Sequence, residues 1–131
     1  MKTSADLEAL VTDIVRGRMT GVIAGEVYND DRPVNSMKED ITVKVLTGRH
    51  AQRQLTIVNI NIYTPDIKKG VYDVKNTERL DYLKKIMLEL FKNYHKNACK
   101  IKTESDNDYE AVDLRQHYSN VKVLIENINF K

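Results

Sequence analysis

The feature that most constrains the fold is a pair of alternating apolar and polar segments between residues 28 and 66. In the first segment, residues 40–47, apolar side chains occupy every second position: Ile41, Val43 and Val45. In the second, residues 54–63, the same spacing is followed by Val58, Ile60 and Ile62. A period of two places each set on one face of a β-strand. Residues 48–53 are too many for a two-residue hairpin turn. The pattern therefore predicts a long two-stranded ribbon with residues 48–53 at its tip.

Length and charge indicate the class of protein. With 131 residues, of which 41% are hydrophobic, the chain fits one folded domain over residues 1–131. Its 21 basic residues against 19 acidic ones give a net charge of only +2, which argues against a protein that binds nucleic acid by neutralising phosphates. Cys99 is the single cysteine, so no internal disulfide can form. A single cysteine also fits synthesis in a reducing cytoplasm. The N-terminal residues lack a long apolar run, so we expect no signal peptide and no membrane span.

Two segments have helical periodicity. The first begins at the capping pattern Thr3-Ser4-Ala5-Asp6 and predicts a helix over about residues 4–16. The second has Thr77 as a candidate cap and predicts a helix over about residues 77–95. Their apolar side chains recur at spacings of three and four, as in an amphipathic helix. These positions are Leu7, Leu10, Val11, Ile14 and Val15 in the first helix, and Leu80, Leu83, Met87, Leu90, Phe91 and Tyr94 in the second.

The remaining segments complete an α+β pattern. We expect a first strand at residues 22–28, a short strand at 99–103, an acidic turn and a last strand at 118–130. Residues 64–76 contain Pro65 and Gly70 without a sustained period, so they are predicted to form an arm. The fold class is therefore a small, mostly antiparallel sheet with a long two-stranded ribbon and two helices, in the order α-β-β-β-α-β-β.

One short pattern is typical of metal-dependent nucleases. Pro65-Asp66 followed by Asp73-Val74-Lys75 matches a PD pair and a D-x-K triplet. In such enzymes two carboxylates on adjoining strands converge on one magnesium ion beside a lysine. Here the intervening residues include Gly70 and have the pattern of a loop. A nuclease that uses Asp66, Asp73 and Lys75 therefore remains an alternative, and short motifs of this kind also match by chance.

Other candidate sites have weaker patterns. Residues 106–110 resemble the start of a calcium loop, but Ala111 occupies the position where such loops need glycine. The histidines have no second ligand at metal-binding spacing: His50, His95 and His117. No phosphate-binding, zinc-protease or nucleophile-elbow motif occurs. We therefore expect a protein that is not an enzyme, with no catalytic residue, metal or cofactor.

The polar tip at residues 48–53 is basic. Arg49, His50 and Arg53 could contact phosphate, but no aromatic residue lies among them for stacking, which favours ordinary solvation. A small intracellular binding module that uses this tip or a sheet edge is a second alternative.

Five segments together are similar to one family. They are ADLEALVTDIV, GEVYNDDRP, VNINIYTPD, RLDYLKKIMLELF and VKVLIENINF. Their order over nearly the whole chain resembles the tail-terminator, or tail-completion, proteins of long-tailed bacteriophages and prophages. The resemblance implies an α+β sheet with both helices on one face and a hexameric ring. In that family the ring caps the tail tube and meets the head-completion proteins.

The resemblance also implies partners and a location. These are other copies of the chain, the tail-tube protein and a head-completion or connector protein, in the tail or neck of a virion assembled in a bacterial host. We expect the arm and the ribbon tip to make the contacts with the neighbouring subunit or the tube. The candidate contact residues are Arg49, His50, Arg53, Pro65, Asp66, Lys68, Lys69 and Tyr72. No membrane and no sequence-specific nucleic acid is expected as a partner.

Overall fold

The fold is described by a computed structural model that covers residues 4–33, 36–46, 55–96, 99–111 and 115–127. Within these ranges it is an α+β fold, as predicted. Its elements in chain order are α1 (Ser4–Met19), β1 (Val27–Asn29), β2 (Ile41–Val45), β3 (Leu55–Pro65), β4 (Ile67–Lys69), β5 (Tyr72–Val74), α2 (Thr77–Leu90), β6 (Tyr94–Lys96), β7 (Cys99–Ala111) and β8 (Gln116–Asn127). Neither helix is long and apolar enough to cross a membrane.

Six of the strands form one sheet, and the other two form a separate hairpin. The sheet order is β1-β2-β3-β8-β7-β6, and every neighbouring pair is antiparallel except β1–β2, which is parallel. Strands β4 and β5 pair only with each other. The prediction of a mostly antiparallel sheet is therefore confirmed. The order of elements differs from the predicted one because β4, β5 and β6 were not expected.

One apolar cluster joins the helices to the sheet. Helix α1 contacts β1, β2 and β3, and α2 contacts β3 and β8. The period-two residues of β2 and β3 lie in this cluster, as do those of β8. Because these residues are register partners, they share one face of the sheet, and both helices cover that face. Its fully buried aliphatic side chains include Val11, Val15, Ile41, Val43, Val58, Ile60, Ile62, Leu83, Met87, Val121, Val123 and Ile125.

The predicted ribbon is not found as stated. Strand β2 pairs with β3, but β3 also pairs with β8 along its whole length, from Leu55 opposite Glu126 to Pro65 opposite Gln116. Strand β3 is therefore an interior strand with a partner on each side. The longest hairpin of the fold is instead β7–β8.

Several predicted boundaries are wrong for local reasons. The first strand begins only at Val27, because Gly21 has a φ of 86° and residues 20–26 turn before the sheet starts. Helix α2 ends at Leu90 rather than near residue 95, and the N–H of Phe91 bonds to the Met87 carbonyl at that end. Its N-cap is Asn76 rather than Thr77. Residues 104–110, expected as an acidic turn, continue β7 as a strand.

Candidate assembly surface

The predicted arm is a short β-hairpin. Lys69 pairs with Tyr72, so Gly70 and Val71 form a two-residue loop between β4 and β5. Gly70 has a φ of 62°, and Val71 is not among the positive-φ residues, which matches a type II′ turn. A two-stranded hairpin of this length has little stability alone in water. Its contacts with the rest of the chain, or with a partner, therefore decide whether it is ordered.

The outer part of this arm, Ile67–Val74, presents apolar and basic side chains to solvent. Ile67 is 42% exposed, Val71 84% and Tyr72 72%. Lys68 and Lys69 are also exposed. Three of the candidate contact residues, Lys68, Lys69 and Tyr72, therefore lie together on one accessible element. Large apolar side chains grouped on an exposed element are typical of an interaction surface.

The base of the arm is held against the sheet. The Asp66 carboxylate is 5% exposed, and its Oδ1 atom lies 2.7 Å from Nδ1 of His117 on β8. The backbone N–H of Asp66 donates to the carbonyl of Arg115 at 2.9 Å. The guanidinium of Arg115 lies 3.5 Å from the Asp73 carboxylate. Pro65 is the last residue of β3 and pairs with Gln116. Asp66 and Pro65 thus position the arm, whereas the lysines and Tyr72 form its accessible surface.

A charged cluster lies where the arm leads into α2. The carboxylate of Asp108 accepts hydrogen bonds from Lys75 at 2.6 Å, Ser119 at 2.5 Å and Lys84 at 3.1 Å. Partial burial of Asp108 favours its neutral form, but the bonds from Lys75, Ser119 and Lys84 outweigh that effect and lower the pKa of the Asp108 carboxyl to about 2. Lys84 also pairs with Asp106 at 3.3 Å. The acidic residues of β7 therefore neutralise lysines from the arm and the helix.

The residues of the nuclease pattern do not share a partner. Asp66 bonds to His117, Asp73 pairs with Arg115, and Lys75 pairs with Asp108. Across the described ranges, no group of three or more histidine, cysteine, aspartate and glutamate side chains is arranged to hold a metal ion. The calcium pattern is likewise an extended strand whose carboxylates contact lysines. Neither metal-binding pattern gains support from the geometry.

The remaining candidates are placed as follows. Arg49, His50 and Arg53 lie outside the described residues. His95 is exposed on β6, and Cys99 is buried at the start of β7. The predicted basic tip therefore stays a prediction, while the predicted arm has a definite geometry.

The sheet face opposite the helices has a row of tyrosines that sequence reasoning missed. Tyr63, Tyr118 and Tyr109 lie on three adjacent strands, with ring centroids 5.0 Å and 5.4 Å apart. The guanidinium carbon of Arg32 lies 3.7 Å from the centre of the Tyr63 ring. Burial raises the pKa of Tyr118, and its neighbours Tyr63 and Tyr109 raise it further. Such stacking orders the side chains on the sheet face opposite the helices.

Amide side chains form the next row of that face. The Asn120 amide donates to Asn61 at 2.7 Å and to Asn59 at 3.2 Å. Lys122 donates to the Asn120 side-chain carbonyl at 2.7 Å. The alternation of Asn59 and Asn61 with isoleucines was visible in the sequence, but their partner Asn120 is about 60 positions away and could not be assigned.

Arg32 connects this face to a buried polar group. Its guanidinium is 8% exposed, lies 3.5 Å from the fully buried Asp40 carboxylate, and donates to Gln116 at 2.5 Å. Asp40 also accepts from Ser36 and from the backbone N–H of Glu26. Residues before β2 are thereby joined to the first residue of β8, next to the base of the arm.

Comparison of the chain with models of known protein families and with curated proteins finds no match.

Proposed function

We propose that this chain is a non-enzymatic structural subunit of a phage or prophage tail, where copies of it form a ring that caps the tail tube and contacts a head-completion protein. The observation that carries the proposal is the outer part of the arm, Ile67–Val74, an exposed hairpin with apolar and basic side chains on a fixed base. Subunits of symmetric rings bury such surface against a neighbour. The resemblance of five sequence segments to tail-terminator proteins supplies the biological context.

The charge distribution agrees with a structural role. At the base of the arm, the described carboxylates are used in internal contacts: Asp66 with His117, Asp73 with Arg115, and Asp108 with Lys75. These contacts hold the arm in place. They also give the arm a defined direction, which a subunit needs in order to present the same surface to every neighbour.

The mass of the assembly tests this proposal. Native mass spectrometry and light scattering are measured on the chain alone, over a series of concentrations, and then with the tail-tube protein of a long-tailed phage of the same host. We expect a closed ring, a hexamer by the resemblance, and negative-stain images should show it at the end of the tube. A chain that remains monomeric at high concentration and forms no ring beside tube protein would contradict the proposal.

A matched pair of variants connects the ring to the arm. Val71→Ser combined with Tyr72→Ser removes the two most exposed apolar side chains of the arm. We expect ring formation to be lost or strongly reduced, because the contact loses its apolar anchors. Tyr82→Ser changes a tyrosine that is 52% exposed on α2, outside the arm hairpin, and should leave the ring intact. Equal effects of the two changes would count against an arm-mediated contact.

A further inference from the structure

Within the described residues, the outer edge of β7 has no strand partner over most of its length. Strand β6 covers only Cys99–Ile101, and the N–H of Thr103 bonds to the Phe91 carbonyl at 3.3 Å. Beyond that point, at residues 104–111, no strand of the described chain lies along the outer side of β7. Backbone N–H and C=O groups on such an edge can pair with a strand from another molecule.

This edge carries acidic side chains. They are Glu104, Asp106, Asp108 and Glu110. Asp106 and Asp108 have lysine partners, whereas Glu104 and Glu110 have no ion pair within the described part of the chain. Charged residues protect an open edge against random pairing, because an uncharged strand would have to desolvate them. A strand with positive side chains would not meet that obstacle.

The arm supplies such a strand. Lys68 and Lys69 lie on β4 and make no ion pair with any described residue. Strand β4 pairs with β5 on one side only, so its other side also lacks a strand partner in the described chain. The two open edges are thus opposite in charge: acidic on β7 and basic on β4.

We propose that β4 of one copy pairs with the open edge of β7 in a neighbouring copy and extends the six-stranded sheet by the hairpin β4–β5. Lys68 and Lys69 point to opposite faces of β4, so one of them lies on the side of the partner's Asp106 and the partner's Asp108 and the other on the side of the partner's Tyr109. The lengths are compatible, since residues 104–111 span roughly 26 Å and the three residues of β4 roughly 10 Å, at about 3.3 Å per residue.

Two different elements take part in this contact, so it can be repeated head to tail around a ring. The inference rests on the proposed function, because its partner is a second copy of this chain. It adds that the edge of β7 is the surface to which the arm of the neighbouring copy binds.

Charge reversal tests the pairing on the chain of 131 residues. One variant combines Lys68→Glu with Lys69→Glu, a second combines Glu104→Lys with Glu110→Lys, and a third carries all four changes. Self-association is measured by sedimentation equilibrium up to millimolar protein. We expect each double variant to associate about tenfold or more weakly, because like charges would then face one another. The fourfold variant should recover association close to that of the unmodified chain.

Two controls keep the test specific. Lys38→Glu with Lys92→Glu makes the same change in net charge at exposed lysines outside the arm, and should not affect association. Circular dichroism checks that every variant is folded. In the associated state, hydrogen exchange should be slower at the amides of residues 67–69 and 104–111, and the Lys68→Glu, Lys69→Glu variant should lose that protection.

Each outcome decides the inference. Loss in both double variants with recovery in the fourfold variant supports it. Association that persists in either double variant, or loss without recovery, overturns the pairing but leaves the ring proposal standing. Absence of any self-association at millimolar protein also overturns it, and the ring proposal is then judged separately by the images with tube protein.

Discussion

The Nδ1 atom of His117 lies 2.7 Å from the Oδ1 atom of Asp66, and this contact joins the second residue of β8 to the point where the chain leaves β3 for the arm. An ionised carboxylate can only accept, so the imidazole donates in this bond. Because the Asp66 side chain is almost fully buried, water cannot readily replace its partner. The direction of the arm therefore depends on this pair.

Removal of the Asp66 carboxylate should loosen the arm. Asp66→Ala leaves His117 without its partner, and we expect the free energy of unfolding to fall by about 1–3 kcal/mol. Hydrogen exchange at residues 67–74 should accelerate more than in the rest of the chain. Asp73→Ala is the control, because its ion pair with Arg115 is largely exposed and should contribute less than about 1 kcal/mol. Similar losses in both variants would show that the Asp66–His117 contact has no special role.

Arg32 should be important for stability. Arg32→Ala would leave the fully buried Asp40 carboxylate without its cation and Gln116 without its donor, at a cost of about 3 kcal/mol or more. Chemical denaturation measures this loss. Arg18→Ala, at an exposed arginine of α1, should change stability by less than about 0.5 kcal/mol. If Arg32→Ala behaved like Arg18→Ala, the buried ion pair would not be contributing to the folded state.

Acid should weaken the fold through Asp108. Its pKa is about 2 in the folded chain, below the ordinary 3.8, so the unfolded chain binds more protons between these values. The stabilising contribution of the carboxylate is complete above pH 4 and is lost as the pH falls toward 2. Denaturation curves at several pH values should show this decline.

Asp108→Asn provides the comparison for the acid effect. This variant should be less stable at neutral pH and should lose part of the decline between pH 4 and 2. Asp13→Asn removes one negative charge from an exposed position of α1 and should keep the decline of the unmodified chain. An unchanged decline in Asp108→Asn would assign the acid sensitivity to other groups.

Two glycines should respond to alanine with opposite signs. A Cβ atom on Gly25 would collide with the backbone carbonyl of Glu39 and the side chain of Asp40, so Gly25→Ala should destabilise the fold by about 1–3 kcal/mol. Gly17 lies in α1 with no atom within 4 Å of the added Cβ, and alanine there should stabilise the helix by about 0.5–1 kcal/mol. Thermal denaturation of the two variants measures whether each change lowers or raises the stability of the fold. A stabilising Gly25→Ala would mean that the turn before β2 can move freely.

Periodicity in the sequence was sufficient for the elements that contact the core. Most residues of the two helical stripes are buried as predicted, among them Val11 on α1 and Leu83 on α2, and so are Ile60 on β3 and Val121 on β8. Leu10, Leu90 and Tyr94 are only partly buried, and Tyr94 lies on β6 instead of α2. In these elements the burial of one face dominates, and the period of apolar residues records it directly. The period does not indicate the neighbour of each strand, so it predicts a ribbon for β3, which instead lies in the interior of the sheet.

The errors occur where distant residues change the local preference. The acidic composition of residues 104–110 predicts a turn, but Lys75 and Lys84, which belong to other parts of the chain, stabilise two of those carboxylates on a strand. The arm hairpin was missed because its strands have only three residues each, although the loop Gly70-Val71 was a usable signal. The contacts of Arg32 with Asp40 and Gln116 join residues up to 84 positions apart, beyond any local pattern.

The position of β3 between β2 and β8 also determines when the sheet can be completed during synthesis. Leu55 pairs with Glu126, so one side of β3 has no partner until the chain has been made as far as the last described strand. Pairings of such long sequence separation are slow to form, because a long loop must close first. During that interval β3 exposes an unpaired edge, and aggregation of incomplete chains would begin there.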